Sequence, residues 1–114
     1  MHLFLVDDET SLLSLLGQHL VRQGHTVESA ASAAEARALL PLAFDAAIID
    51  WTLPDGRGLD IGLALLEQHD EIKVVFTSGY PLDISAVPTD FKARVRLLQK
   101  PFLPRVLAEI LNSL

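Results

Sequence analysis

The chain has 114 residues, half of them hydrophobic, which suits one domain of ordinary size with a real core. Acidic side chains outnumber Lys plus Arg by 15 to 9, for a net charge of −6. That balance runs against nonspecific nucleic-acid binding, which depends on basic groups neutralising phosphates, and the absence of cysteine excludes disulfide frameworks and thiolate metal sites.

In chain order, residues 3–6, Leu-Phe-Leu-Val, form a short apolar run that ends at Asp7 and Asp8. Leu12, Leu13, Leu16 and Leu20 then recur at helical spacing, with Gly24 as a stop signal. A weaker strand near residues 26–28 leads to Ser32 and Glu35, an S-x-x-E capping box before Ala36, Leu39 and Leu40. Pro41 closes that helix, because proline cannot continue the hydrogen-bond ladder. A second strong run, Ala46-Ala47-Ile48-Ile49, ends at Asp50. Beyond Gly56 and Gly58, Leu59, Leu63 and Leu66 mark a third helix. Residues 72–76 form the third strong run, which ends at Thr77.

Residues 80–93 carry Pro81 and Pro88 and little periodicity, so a short or irregular helix is expected there. A weaker strand at 95–98 precedes Lys100. Val106, Leu107, Ile110, Leu111 and Leu114 mark the last helix. Pro104 suits its first turn, whereas Leu103 makes a poor N-cap without a side-chain acceptor.

The three strong runs do not alternate polar and apolar residues, as expected of strands covered on both faces. Strand and helix alternate about five times. That order predicts an α/β fold with a five-stranded parallel sheet, right-handed crossovers and helices on both faces. No linker, repeat or low-complexity tract interrupts it, so one domain is expected over residues 1–114. No apolar stretch approaches the ~20 residues that cross a bilayer. Met1 leads into a strand without a leader pattern, so a cytoplasmic location is expected.

In open α/β sheets the site lies beyond the carboxyl ends of the strands, at a topological switch point. Asp7, Asp8, Asp50, Thr77 and Lys100 end four different strands. Taken singly, a strand-end Asp is usually a turn residue, and a lone Thr or Lys is usually solvated. Together they place three acids, a hydroxyl and an ammonium at one edge. Two unit charges about 4 Å apart repel by ~4 kcal/mol at an effective dielectric near 20. A fold tolerates that crowding if a divalent cation neutralises it or a carboxylate is used for chemistry. Phosphoryl transfer suits the set: an Asp carboxylate is a competent nucleophile, and Mg²⁺ takes carboxylate, water and phosphate oxygens.

The sequence resembles the receiver domains of two-component response regulators. The resemblance rests on Val6-Asp7-Asp8-Glu9, Asp50-Trp51-Thr52-Leu53-Pro54, Phe76-Thr77-Ser78-Gly79-Tyr80 and Gln99-Lys100-Pro101-Phe102. It implies the flavodoxin-like, receiver-type fold. It also implies that Asp50 accepts a phosphoryl group, with Asp8 a direct Mg²⁺ ligand and Asp7 holding the ion through water. Thr52 falls where a backbone carbonyl meets the metal. Thr77 resembles the hydroxyl that moves to the phosphoryl group, and Lys100 its cationic partner. The bond before Pro101 is expected to be cis.

The resemblance implies a histidine kinase or histidine phosphotransfer domain as donor and a downstream target or attached output domain. It implies a self-modifying switch rather than a turnover enzyme. The Leu-Gln-Lys-Pro-Phe element is similar to that of receivers attached to hybrid sensor kinases. Leu97 departs from the family, which often has Phe or Tyr there as a rotating switch residue. That departure favours the alternative, a receiver-like binding module without the phosphorylation cycle. A third class, an aspartyl-phosphate phosphohydrolase of the dehalogenase type, needs an acid where Thr52 stands.

Other features point nowhere catalytic. His2, His19, His25 and His69 lack metal-pair spacing, and Ser78 and Ser85 lack a linked His base. Gly56 and Gly58 do not make a dinucleotide fingerprint. Trp51 reads equally as a pocket mouth or a packing residue. Lys92, Arg94 and Arg96 read as a solvated face.

Overall fold

The computed structural model describes residues 1–114. In chain order the elements are β1 (His2–Val6), α1 (Thr10–Arg22), β2 (Thr26–Ala30), α2 (Ala33–Leu39), β3 (Ala46–Asp50), β4 (Thr52–Leu53), β5 (Gly56–Arg57), α3 (Gly58–Gln68), β6 (Lys73–Ser78), β7 (Val95–Gln99) and α4 (Pro104–Asn112). Five strands form one parallel sheet in the order β2-β1-β3-β6-β7. The chain moves outward from β1 to one edge, returns to β3 and then proceeds to the other edge. The direction of winding therefore reverses between β1 and β3, where ligands collect in such sheets.

The three apolar runs fill the centre, as their lack of alternation predicts. Every residue of β3 is buried, and so are four of five in β1 and five of six in β6. Helices α2 and α3 cover one face, over a cluster that includes Phe4, Ala36, Ile49, Leu65 and Phe76. Helices α1 and α4 cover the other, over Leu5, Leu16, Leu20, Ile48 and Leu107. No helix is long and apolar enough to cross a membrane.

The helix punctuation follows the local chemistry. Gly24 adopts φ 95°, the left-handed region open to glycine, just beyond α1. The Ser32 hydroxyl accepts from the Glu35 amide at 3.1 Å, which caps α2. Only this half of the capping box forms, because the Glu35 carboxylate bonds the Ser32 hydroxyl at 3.3 Å instead of its amide. Pro104 opens α4, and Leu103 makes no side-chain cap.

Two features depart from expectation. First, β4 and β5 form a small antiparallel ribbon directly after Asp50. Its strands are only two residues each, too short for any periodicity to register. Residues 80–93, by contrast, meet the expectation of a short, irregular helix and form no α-helix. Two 3₁₀ turns, Ile84–Ala86 and Thr89–Arg94, make the crossover to β7. Pro88 stands between them and forbids a continuous ladder. Second, Arg94 is not part of a solvated face. Its guanidinium donates to the carbonyls of Leu66 at 2.9 Å, His69 at 2.8 Å and Ile72 at 3.2 Å. It thus satisfies carbonyls left open at the end of α3. Arg96, two residues on, is exposed as expected.

Candidate functional site

Because β1 and β3 are neighbours, the residues at their carboxyl ends meet. Asp50 closes β3 and lies beside Thr77 of β6 in register. The Asp7 amide donates to the Ala30 carbonyl at 3.1 Å, which continues the β1–β2 ladder by one step. One carboxylate oxygen from each of Asp7, Asp8 and Asp50 lies within 4.8 Å of the others. Asp7 and Asp50 are buried, at 5 % and 8 % exposure, and Asp8 is exposed.

Lys100, just beyond β7, completes the arrangement. Its Nζ lies 2.7 Å from Asp7 Oδ2 and 3.2 Å from Asp50 Oδ2. The second oxygens of both acids face backbone: Asp7 Oδ1 accepts from the Glu9 amide at 2.9 Å, and Asp50 Oδ1 from the Thr52 amide at 3.2 Å. Each buried carboxylate is thereby held by an amide on one side and the ammonium on the other. Thr77 is 2 % exposed, and its carbonyl accepts from the Trp51 amide at 2.8 Å, which ties the segment after Asp50 to β6.

Electrostatics follow from burial. Burial pushes the Asp50 carboxyl above its ordinary range and outweighs the opposing pull of Lys100 and the Thr52 amide; Asp7 adds to the push. Burial acts to lower Lys100, but the hydrogen bond and charge of Asp7, with Asp50 behind it, win and move it up. The single ammonium holds its proton firmly but is shared between two acids, Asp7 and Asp50, and makes no ion pair with Asp8. The cluster therefore retains net negative charge. Its donors are all carboxylate oxygens, the set a hard divalent cation prefers, so the residues fit such an ion.

The structure brings Asp7, Asp8, Asp50, Thr77 and Lys100 to one edge, as the strand ends predict. Thr52 lies two residues past Asp50 on β4 and is exposed. The Lys100–Pro101 bond is cis. Trp51 and Phe76 pack edge to face, with ring centroids 5.2 Å apart and planes at 82°, which makes Trp51 a half-buried packing residue. Leu97 packs against the core on the α2–α3 face.

Two residues that support the site were missed. The amide of Gly58 donates to the Trp51 carbonyl at 2.9 Å, and a Cβ there would overlap the carbonyl of Asp50. A Cβ at Gly62 would overlap the ring of Phe76. Glycines four apart lie on one helix face, and this spacing at the start of α3 was the available signal. Asp55 was also missed, and its Pro54-Asp55-Gly56 setting is a turn signature.

The family model of the response regulator receiver domain matches residues 3–112. The chain belongs to this family. It is 33 % identical over 102 residues to the photosynthetic apparatus regulatory protein RegA of Cereibacter sphaeroides, covering 87 % of this chain and 54 % of RegA. It is 26 % identical over 113 residues to the response regulator SaeR of Staphylococcus aureus, covering 99 % of this chain and 50 % of SaeR. The chain thus spans about half the length of these relatives. The structure is similar to a CheY-like receiver domain protein of Methanospirillum hungatei, with a TM-score of 0.87, 28 % identity and coverage of 98 % and 90 % of the two chains. It is also similar to the receiver domain of the hybrid histidine kinase CckA, with a TM-score of 0.83, 25 % identity and coverage of 99 % and 97 %. Residues 3–112 are thus a response regulator receiver domain, and its acidic cluster is a group of residues that could hold a metal ion.

Proposed function

We propose that residues 1–114 act as one receiver domain in which Asp50 takes a phosphoryl group from a phosphohistidine on a partner kinase or phosphotransfer domain. The reading is carried by the convergence of Asp7, Asp8 and Asp50 within 4.8 Å under a single ammonium. An Asp50 carboxylate oxygen attacks phosphorus, the phosphorus–nitrogen bond breaks, and the phosphohistidine ring, already protonated at its other nitrogen, leaves as neutral imidazole. Asp7, Asp8, Asp50 and the backbone carbonyl of Thr52 would hold Mg²⁺. When bound, the ion neutralises charge that develops on the phosphoryl oxygens. Lys100 supplies a fixed positive charge beside the acceptor, and the Thr77 hydroxyl is a donor for the new phosphoryl group. The domain modifies itself once per event, so it is a switch rather than a turnover enzyme. The downstream target or attached output domain reads that switch.

Incubation with Mg²⁺ and acetyl phosphate tests this reading by intact mass. One added phosphate, base-labile and lost in Asp50→Asn, is the expected result; full incorporation in Asp50→Asn removes Asp50 from the role. One observation favours a second reading, a binding module without the cycle: Leu97 stands where relatives often carry an aromatic switch. That reading requires no phosphate on the wild type.

A further inference from the structure

The ribbon after Asp50 ends in a latch. The pair Leu53–Gly56 closes β4 on β5 and leaves Pro54 and Asp55 as a two-residue loop. The Asp55 carboxylate reaches across to the start of α2, where Oδ1 accepts from the Ala33 amide at 2.7 Å and Oδ2 from the Ala34 amide at 3.0 Å. These two bonds hold the Asp55 carboxyl below the usual range. The backbone is equally close: a Cβ on Gly56 would lie 3.2 Å from the Ala33 Cβ. Helix α2 already has its own cap in Ser32. Asp55 therefore does more than terminate a helix, since it fastens the ribbon tip to an element 22 residues away in sequence.

What the latch fastens matters. The same ribbon carries Thr52, which pairs with Arg57. Its base is fixed by the Trp51 amide on Thr77, the Gly58 amide on the Trp51 carbonyl and the Thr52 amide on Asp50. Beside Thr52, Arg57 also ties the base to α3 through Asp60 at 2.8 Å; at the tip, that tie to another element is made by Asp55. We infer that Asp55 is a positioning residue for the cation site, holding the ribbon so that the Thr52 carbonyl and the Asp50 carboxylate keep one mutual geometry. The inference rests on the metal assignment proposed above. Its mechanism is preorganisation: apparent affinity falls by the fraction of time the loop spends in the competent form.

The experiment is a Mg²⁺ titration read by Trp51 emission, alongside thermal unfolding without metal. Asp55→Ala is expected to weaken Mg²⁺ about fivefold, as for a loop competent about a fifth of the time. Asp55→Asn retains one amide-accepting oxygen and recovers part of the loss. Ser32→Ala removes the other cap of α2 without touching the ribbon, so it lowers the melting temperature but leaves the Mg²⁺ titration unchanged. Equal Mg²⁺ affinity in Asp55→Ala and wild type overturns the latch, and so does equal weakening in Ser32→Ala and Asp55→Ala. Absence of any Mg²⁺ response in the wild type is a different failure, because it overturns the metal site itself.

Discussion

Gly58 lies against the carbonyl of Asp50 with no room for a side-chain carbon between them. The first residue of α3 thus sets the backbone of the proposed phosphoacceptor. Gly62, one turn later, leaves no room for a Cβ beside the Phe76 ring, so the helix approaches β3 and β6 on bare backbone. Gly58→Ala is expected to force α3 away from the strand end and to destabilise the fold by about 1–3 kcal/mol, the usual range for overpacking. Urea denaturation measures it, and an unchanged midpoint would mean that the backbone yields freely.

The Asp50 carboxyl titrates above its ordinary value of 3.8, chiefly because it is buried. A folded-state pKa above the unfolded one means that the native state binds the proton more tightly. The contribution of Asp50 to stability therefore falls as pH rises through that window, and the ionised group opposes folding at neutral pH. Asp50→Asn is neutral at every pH. Without divalent metal it is expected to melt higher than wild type at pH 7. The difference should shrink below pH 3.8, where Asp50 is protonated in both states. A lower melting temperature for Asp50→Asn at pH 7 contradicts the burial argument.

Lys100 shows the opposite sign. Its folded pKa lies above 10.5 once the two carboxylates outweigh burial. The stability it contributes is fully present at neutral pH and is lost as pH rises past its raised value. Lys100→Ala leaves Asp7 and Asp50 facing each other without the cation. A loss of about 2–3 kcal/mol is expected, somewhat under the range for breaking a fully buried pair. Added Mg²⁺ should raise the melting temperature of this variant more than that of wild type, because the ion then replaces the missing charge. Differential scanning fluorimetry with and without Mg²⁺ reads both quantities.

Arg94 and Arg96 separate structural from surface charge. Arg94→Ala deprives the carbonyls of Leu66 and His69 at the end of α3, and of Ile72 just before β6, of their donor. It should lower stability by about 2–3 kcal/mol, given that bonds to a charged group contribute about 1.5–3 kcal/mol each and water replaces part of the loss. Arg96→Ala should stay within ~0.5 kcal/mol of wild type. Chemical denaturation of the two variants side by side distinguishes them, and equal effects would dissolve the contrast.

The sheet and its acidic edge were legible because their signals are local. A buried parallel strand writes itself as an unbroken apolar run, and the residue that ends the run must emerge at the carboxyl edge. Asp7, Asp8, Asp50 and Thr77 were readable on that ground alone, and the family resemblance added roles and the cis bond before Pro101. The rest depends on partners distant in sequence. Arg94 looked solvated because its acceptors lie 22 to 28 residues away. Asp55 looked like a turn residue because the amides it meets belong to α2. The tightness around Gly58 and Gly62 is invisible until α3 is laid on the sheet. The irregular crossover between β6 and β7 was legible in kind but not in bounds: Pro81 and Pro88 signalled a short or irregular helix, but single 3₁₀ turns leave no periodic mark.

That crossover gives the molecule an uneven rigidity. Ile84–Ala86 and Thr89–Arg94 are wound in 3₁₀ turns, whose hydrogen bonds are poorer than those of an α-helix, and neither turn buries a residue of its own, so that Val87 between them is the segment's one buried anchor. Tyr80, at its mouth, is 69 % exposed. Amide exchange and proteolytic nicking should begin here while the central strands stay protected. The flank of the sheet beside β7 is the cheapest part of this protein to reshape.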